Sequence, residues 1–270
     1  MVGAMSAEGF FTRDDNAYRP GDNARGPWDP NSLHGRFVVG LLASVIEERH
    51  GADDFMPARL TVDMFRLPDR SAIEVATRTI RDGQRIKVIE ADLFSQGVHM
   101  ARASCQLLRK TANPAGTVWS TPPWDVPSPA DVAGAVDRRM GLNGMWEARR
   151  IVGQIGTVGP RRAWMRELRD LVAGVTLTPF VRAALVADFA SPFTNAGDAG
   201  LGFINSDVTL YLHRLPANEW IGLEVTNHFA TDGVAVGECM LHDEKGPLGT
   251  ATVAALVQRK PMSQPGMQYQ

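Results

Sequence analysis

Between residues 32 and 51 the apolar positions fall on one side of a helix. Phe37, Val38, Leu41, Leu42, Val45 and Ile46 keep the i, i+3, i+4 spacing of a buried helical face. Ser32 stands where a cap is needed and Gly51 where a helix can end. Four strand-like segments follow, at about 58–67, 71–81, 85–95 and 98–109, separated by Pro68-Asp69, Asp82-Gly83 and Gln96-Gly97. Residues 13–32 are rich in Asp, Asn, Arg, Pro and Gly and read as irregular. Residues 111–143 carry prolines at 114, 122, 123, 127 and 129 and read as a surface connector.

Beyond the connector the plan recurs. MWEARRIVGQI and RRAWMREL read as strands, and TPFVRAALVADFA as a helix capped by Thr178. Pro179 sits at its first position, where a missing N–H costs nothing. Strand-like segments follow at about 207–214, 219–228, 233–242 and 248–259. LTVDMFRLP at 60–68 lies against VTLYLHRLP at 208–216, with Thr, Arg, Leu and Pro matching at a shift of 148. Arg-Asp-Gly at 81–83 lies against Thr-Asp-Gly at 231–233, and Arg109-Lys110 against Arg259-Lys260, at a shift of 150. The pattern implies an internal duplication: an N-terminal unit at 1–112, a Pro-rich connector at 113–143 and a C-terminal unit at 144–270. Joining two such sheets edge to edge covers edges that would otherwise be open.

The composition sets outer limits. With 270 residues, 44% hydrophobic and 21% charged, the chain is long enough to bury a large core. No apolar run approaches the roughly 20 residues of a membrane span, and no secretory signal is visible. A net charge of -2 gives no electrostatic reason to expect nucleic acid. Two cysteines, Cys105 and Cys239, make no disulfide framework, and a reducing cytoplasm is the expected compartment. No metal-ligand spacing, phosphate loop or Gly-x-Ser-x-Gly elbow is present, so neither a metal nor a separate cofactor is expected.

A helix wrapped by a curled antiparallel sheet, twice in one chain, resembles the double-hotdog acyl-CoA thioesterase II family. HGRFVVGLL at 34–42 is similar to that family's Gly-Gly-Gln-Val-Val-Gly helix start. SDVTLYLHR at 206–214 is similar to its Asp-His-Ser-Met-Trp-Phe-His-Arg strand, and Glu224 to Thr226, Gly237-Glu238 and Thr252-Val253 continue the likeness. The resemblance implies an α+β tandem hotdog, two antiparallel sheets each wrapped on a central helix. It also implies hydrolysis of an acyl-CoA thioester, with coenzyme A entering as part of the substrate. The fused units already form a pseudo-dimer and can associate further into a homo-oligomer.

The family holds its attacking water with an Asp, a Thr and a Gln. By the resemblance these fall on Asp207, Thr226 and Ala254, so the third member is replaced, and neither Gln258 nor Gln106 stands in for it. Hydrolysis also needs N–H donors aimed at the developing oxyanion. Asn31, His34 and Gly35 lie where the first helix begins, and Gly35 would let a thioester approach the backbone closely. Asp207 can equally cap a turn after Asn205-Ser206, and Thr226 can be an ordinary strand threonine. Arg161 and Arg162 could meet CoA phosphates or form a solvated face. Two alternatives stand beside hydrolysis. Asp29-Pro30-Asn31-Ser32-Leu33-His34 resembles the R-specific enoyl-CoA hydratase signature Asp-x-Asn-Pro-Leu-His, with Asp29 and His34 as the dyad. The loss of the Gln also fits a protein that binds acyl-CoA or another lipid without turnover.

Overall fold

The computed structural model describes residues 9–29, 31–132 and 145–262, with side chains up to 258. The N-terminal half contains β1 (Phe11–Asp14), β2 (Ala17–Pro20), α1 (Gly35–His50), β3 (Phe55–Met64), β4 (Ile73–Asp82), β5 (Ile86–Ser95) and β6 (Val98–Arg109). The C-terminal half contains β7 (Trp146–Val152), β8 (Arg162–Glu167), α2 (Pro179–Ala187), α3 (Ala190–Asn195), β9 (Ala196–Gly197) and β10 (Gly200–Asn205). It continues through β11 (Asp207–Leu212), β12 (Ile221–Thr231), β13 (Val234–Asp243) and β14 (Gly246–Met262).

One antiparallel sheet runs through both halves in the order β1-β2-β4-β5-β6-β3-β11-β14-β13-β12-β8-β7. The order is a palindrome: each of the six N-terminal strands has its duplicate at the mirrored place in the other half, while β9 and β10 lie off this path, β10 pairing with β14. The seam is the pair β3–β11, where Asp207 opposes Asp63, Thr209 opposes Thr61 and Tyr211 opposes Arg59. The shift of 148 maps Thr61 onto Thr209, and it turns the pair Asp207–Asp63 into Arg59–Tyr211. A local two-fold axis therefore passes between the two threonines, whose hydroxyls lie 3.2 Å apart. This is the α+β tandem hotdog that the resemblance implied, closed at its central edge.

The helices fill the hollow of the sheet. Ten residues of α1 are buried, including Phe37, Leu41, Leu42 and Ile46. Gly40 lets α1 and α2 approach, because a Cβ there would stand 2.5 Å from Leu185 Cδ2. Thr178 caps α2 as expected, its hydroxyl accepting from Val181 N at 3.2 Å.

Several expectations are corrected. The segment read as irregular contains β1 and β2, joined through Asp15 in the left-handed region (φ 52°). Phe11 and Tyr18 are buried there, although most of the surrounding residues are polar. Ser32 does not cap α1; its hydroxyl turns to Asp29 O at 2.8 Å, and His34 takes the cap position. The second helix ends at Ala187 and restarts as α3, a break the apolar run concealed. Pro30 and residues 133–143 of the expected connector lie outside the described residues.

Candidate active site at the start of the first helix

A cavity of about 250 Å³ opens at the N-terminus of α1, between the two halves. Its walls are mostly apolar, with Trp28, Val38, Phe65, Trp146, Phe189 and Leu201 among them. Among its polar lining groups are His34, Gly35, Asp188 and Asn205, with Arg66, Ser191 and Ser206 beside them.

His34 and Gly35 are placed by the helix start. His34 has extended backbone (φ -71°, ψ 132°), and its Nδ1 accepts from Arg36 N at 3.4 Å. An Nδ1 that accepts a hydrogen bond carries no proton, so the neutral ring keeps Nε2–H as its donor. Burial, aided by the Arg36 charge, pushes the His34 pKa down to about 3, which keeps the ring neutral in ordinary buffers. Gly35 is the first helical residue. Its N–H is one of those a helix leaves without an intrahelical acceptor, at the positive end of the helix dipole.

Asp188 comes from the other half. It stands at the break after α2, where Phe189 N and Ser191 N already bond to Val186 O and Asp188 O. Its carboxylate lies over Gly35: a Cβ added to Gly35 would stand 3.1 Å from Asp188 Oδ2. Asn205 Nδ2 donates to Oδ1 at 3.1 Å, and His34 Nδ1 is 3.9 Å from Oδ2, too far for a hydrogen bond. Burial raises the Asp188 pKa to about 6, with the Asn205 hydrogen bond and the Arg36 charge pulling against it. A carboxyl held there is ionised at neutral pH yet basic enough to take a proton.

Arg36 sits behind this wall, 0% exposed. It pairs with the buried Glu167. Its guanidinium carbon stands 4.8 to 5.6 Å from the ring centres of Trp146, Phe37, Phe189 and Phe10. Two of its nitrogens, Nε and Nη1, have no hydrogen-bond partner. A boxed charge of this kind acts on the cavity through space, favouring the ionised Asp188 and opposing a charge on His34.

Of the residues proposed from sequence, the fold brings His34 and Gly35 into the cavity and leaves the others outside its wall. Asp207 lies on the alternation of β11 opposite to the buried Val208, Leu210 and Leu212. Its Oδ1 accepts from Ala254 N at 2.6 Å, closing the ladder where β14 passes from β11 to β10. Burial raises its pKa, helped by the charge of Asp63, with the hydrogen bond from Ala254 N pulling the other way. Thr226 is exposed at a bulge in β12 and donates to Glu238 Oε1 at 2.9 Å. Asp207 is thus bonded to Ala254, and Thr226 bonds to Glu238. Asn31 is exposed, and its N–H bonds to Asp29 Oδ1 at 2.7 Å. Asp29 is therefore committed to its own turn, and the carboxylate beside His34 is Asp188. Arg161 spends its guanidinium on the carbonyls of Gln154, Thr157, Phe193 and Ala196, and Arg162 pairs with Glu224 at 2.5 Å.

Asp188 and Asn205 were missed by sequence reasoning. One signal was present: Asp188 is the lone acid in the apolar run from Phe180 to Phe193. Among the described residues no group of three or more His, Cys, Asp or Glu side chains can hold a metal ion.

Comparison with known proteins shows the family and the fold. The family model described as acyl-CoA thioesterase N-terminal domain matches residues 24–108, and that described as acyl-CoA thioesterase C-terminal domain matches residues 120–257. A putative thioesterase from Novosphingobium aromaticivorans is similar at 21% identity and TM-score 0.71, over 92% of this chain and 98% of that one. A conserved hot dog fold protein from Alicyclobacillus acidocaldarius is similar at 14% identity and TM-score 0.71, over 93% and 96%. An acyl-CoA thioesterase II from Mycobacterium marinum is similar at 16% identity and TM-score 0.59, over 92% and 95%. No curated protein matches the sequence.

Proposed function

The chain belongs to the acyl-CoA thioesterase family, and from that premise we propose that it hydrolyses an acyl-CoA thioester with a water activated by Asp188. The observation that carries the reading is the Asp188 carboxylate, its pKa lifted by burial, lying over Gly35 at a helix start in an apolar cavity. The acyl chain lies along the apolar walls and the thioester carbonyl turns to the start of α1. Gly35 N–H and His34 Nε2–H stabilise the charge that develops on the carbonyl oxygen. Asp188 takes a proton from the water as its oxygen bonds to the carbonyl carbon. The tetrahedral intermediate collapses, the C–S bond breaks, and the departing sulfur receives the proton from Asp188. The products are the free acid and coenzyme A, and no separate cofactor enters.

Coenzyme A is then a substrate component, and the setting is acyl-lipid metabolism. Two buried free thiols, Cys105 and Cys239, fit a reducing cytoplasm. Among the described residues no helix is long and apolar enough to cross a membrane.

The test is release of free CoA from saturated acyl-CoAs of increasing length. Turnover over one range of lengths is the expected result. Binding without release at any length would overturn hydrolysis. Hydration of a trans-enoyl-CoA without CoA release would reassign His34 and Asp188 to addition of water.

A further inference from the structure

At the opposite end of the α1–α2 pair lies a second, larger cavity of about 570 Å³. The palindromic sheet places it where the local two-fold takes the first one. The walls are built from the same elements: Leu67 after β3 has Leu215 after β11 at the shift of 148, the first turns of the helices add Val38 and Val181, and β14 and β6 add Leu256 and Leu107. The hollow has apolar walls like the first, joined by the charged Arg13, Glu47, Glu48, Asp53 and Lys110, and it falls in the size range of small-molecule sites.

Its polar groups have not been kept. The first helical residue here is Pro179, which has no N–H to offer an oxyanion. The nearest carboxylate, Glu47, receives the Thr178 hydroxyl hydrogen, and that hydroxyl in turn caps Val181 N. The carboxylate and the helix start that act on a water in the first cavity are bonded to each other in the second.

We infer that the second cavity binds the aliphatic chain of an acyl thioester or fatty acid without cleaving it. The ligand class rests on the acyl-chain reading of the first cavity, carried across by the duplicated walls. The chain lies along Leu177, Phe180, Val181 and Leu107, and a thioester seated there meets no N1 donor, with Glu47 held by Thr178 and Glu48 by Arg13.

Calorimetric titration of the whole protein with decyl-CoA thioether, which no hydrolase can cleave, tests this by stoichiometry. The wild type is expected to bind two molecules per chain. Val175→Trp and Thr176→Trp each fill the second cavity from an exposed loop and are expected to bind one. Gly35→Leu fills the first cavity and is expected to bind the other one. A parallel titration with decanoate separates the sources: a second site filled by decanoate alone identifies a fatty acid, and one filled by the thioether identifies the thioester. Only one molecule with the thioether and only one with decanoate in the wild type, or two in both loop variants, overturns the inference. Failure of the hydrolase reading shows separately, as absence of CoA release with two ligands still bound.

Discussion

At one end of the helix pair the first helical residue is Gly35; at the other it is Pro179. Over Gly35 lies Asp188, tied only to the Asn205 amide, whereas beside Pro179 the Glu47 carboxylate is occupied by Thr178. The two hollows share walls and strand order but not donors or base. Duplication conserved what packing demands, an apolar lining on a closed sheet, and let the catalytic groups diverge. On the proposed reading the pseudo-dimer has one hydrolytic centre built from both halves: the oxyanion donors from the first, the carboxylate from the second.

Copying the second hollow's first helical residue into the first breaks the comparison most directly. His34 already has the extended backbone that a following proline requires. Gly35→Pro is expected to cut kcat by roughly 10² to 10³, the worth of one oxyanion donor. Gly35→Ala keeps the N–H and only presses on Asp188 Oδ2, so its loss should be clearly smaller. Equal losses in the two variants would deny the Gly35 N–H its role.

Arg36 belongs to the first hollow alone. Arg36→Met leaves Glu167 buried without its cation and is expected to cost about 3–5 kcal/mol in denaturant unfolding. Arg36→Met with Glu167→Leu should recover most of that stability. If Arg36 favours the Asp188 anion, the double variant should still show its acid limb moved to higher pH. An unmoved limb would make Arg36 purely structural.

The pH dependence sharpens the contrast further. With Asp188 titrating at about 6, activity should fall about tenfold per unit below that value. Stability runs the other way. The folded protein holds the Asp188 proton to about 6 while the unfolded chain releases it near 3.8, so raising the pH through that window costs stability, roughly 2–3 kcal/mol. Asp188→Asn should therefore unfold at higher temperature than the wild type at pH 8. His34 acts oppositely: the folded ring stays neutral to about 3 while the unfolded one protonates near 6.5, so stability is lost as pH falls through that range. The smallest effect is expected at the seam, where Thr209→Val removes the hydroxyl contact with Thr61 for about 1 kcal/mol without touching either hollow.

Much of this architecture could be read from local pattern. The strands β3 to β6 and β11 to β14 alternate or punctuate clearly, and Thr178-Pro179 announces the start of α2. The matched LP turns even gave the shift that places Thr61 against Thr209. What stayed hidden depends on contacts distant in sequence. β1 and β2 are polar edge strands, ordered because Phe11 and Tyr18 are buried from below. Asp188 looks like a helix-interior residue until the break after Ala187 turns it onto Gly35 of the other half. Asp207 was chosen by likeness to a family strand, and where β14 passes from β11 to β10 its carboxylate accepts from Ala254 N.

The central claim is that Asp188 carries the chemistry, and it rests on one paired measurement: the rate of CoA release by Asp188→Asn and by Asp207→Asn with the best acyl-CoA. The account predicts a fall of at least roughly 100-fold for Asp188→Asn. It predicts a fall under about tenfold for Asp207→Asn, accompanied by a lower melting temperature as the cap on Ala254 weakens. The reverse order, with Asp207→Asn inactive and Asp188→Asn nearly unimpaired, would contradict it.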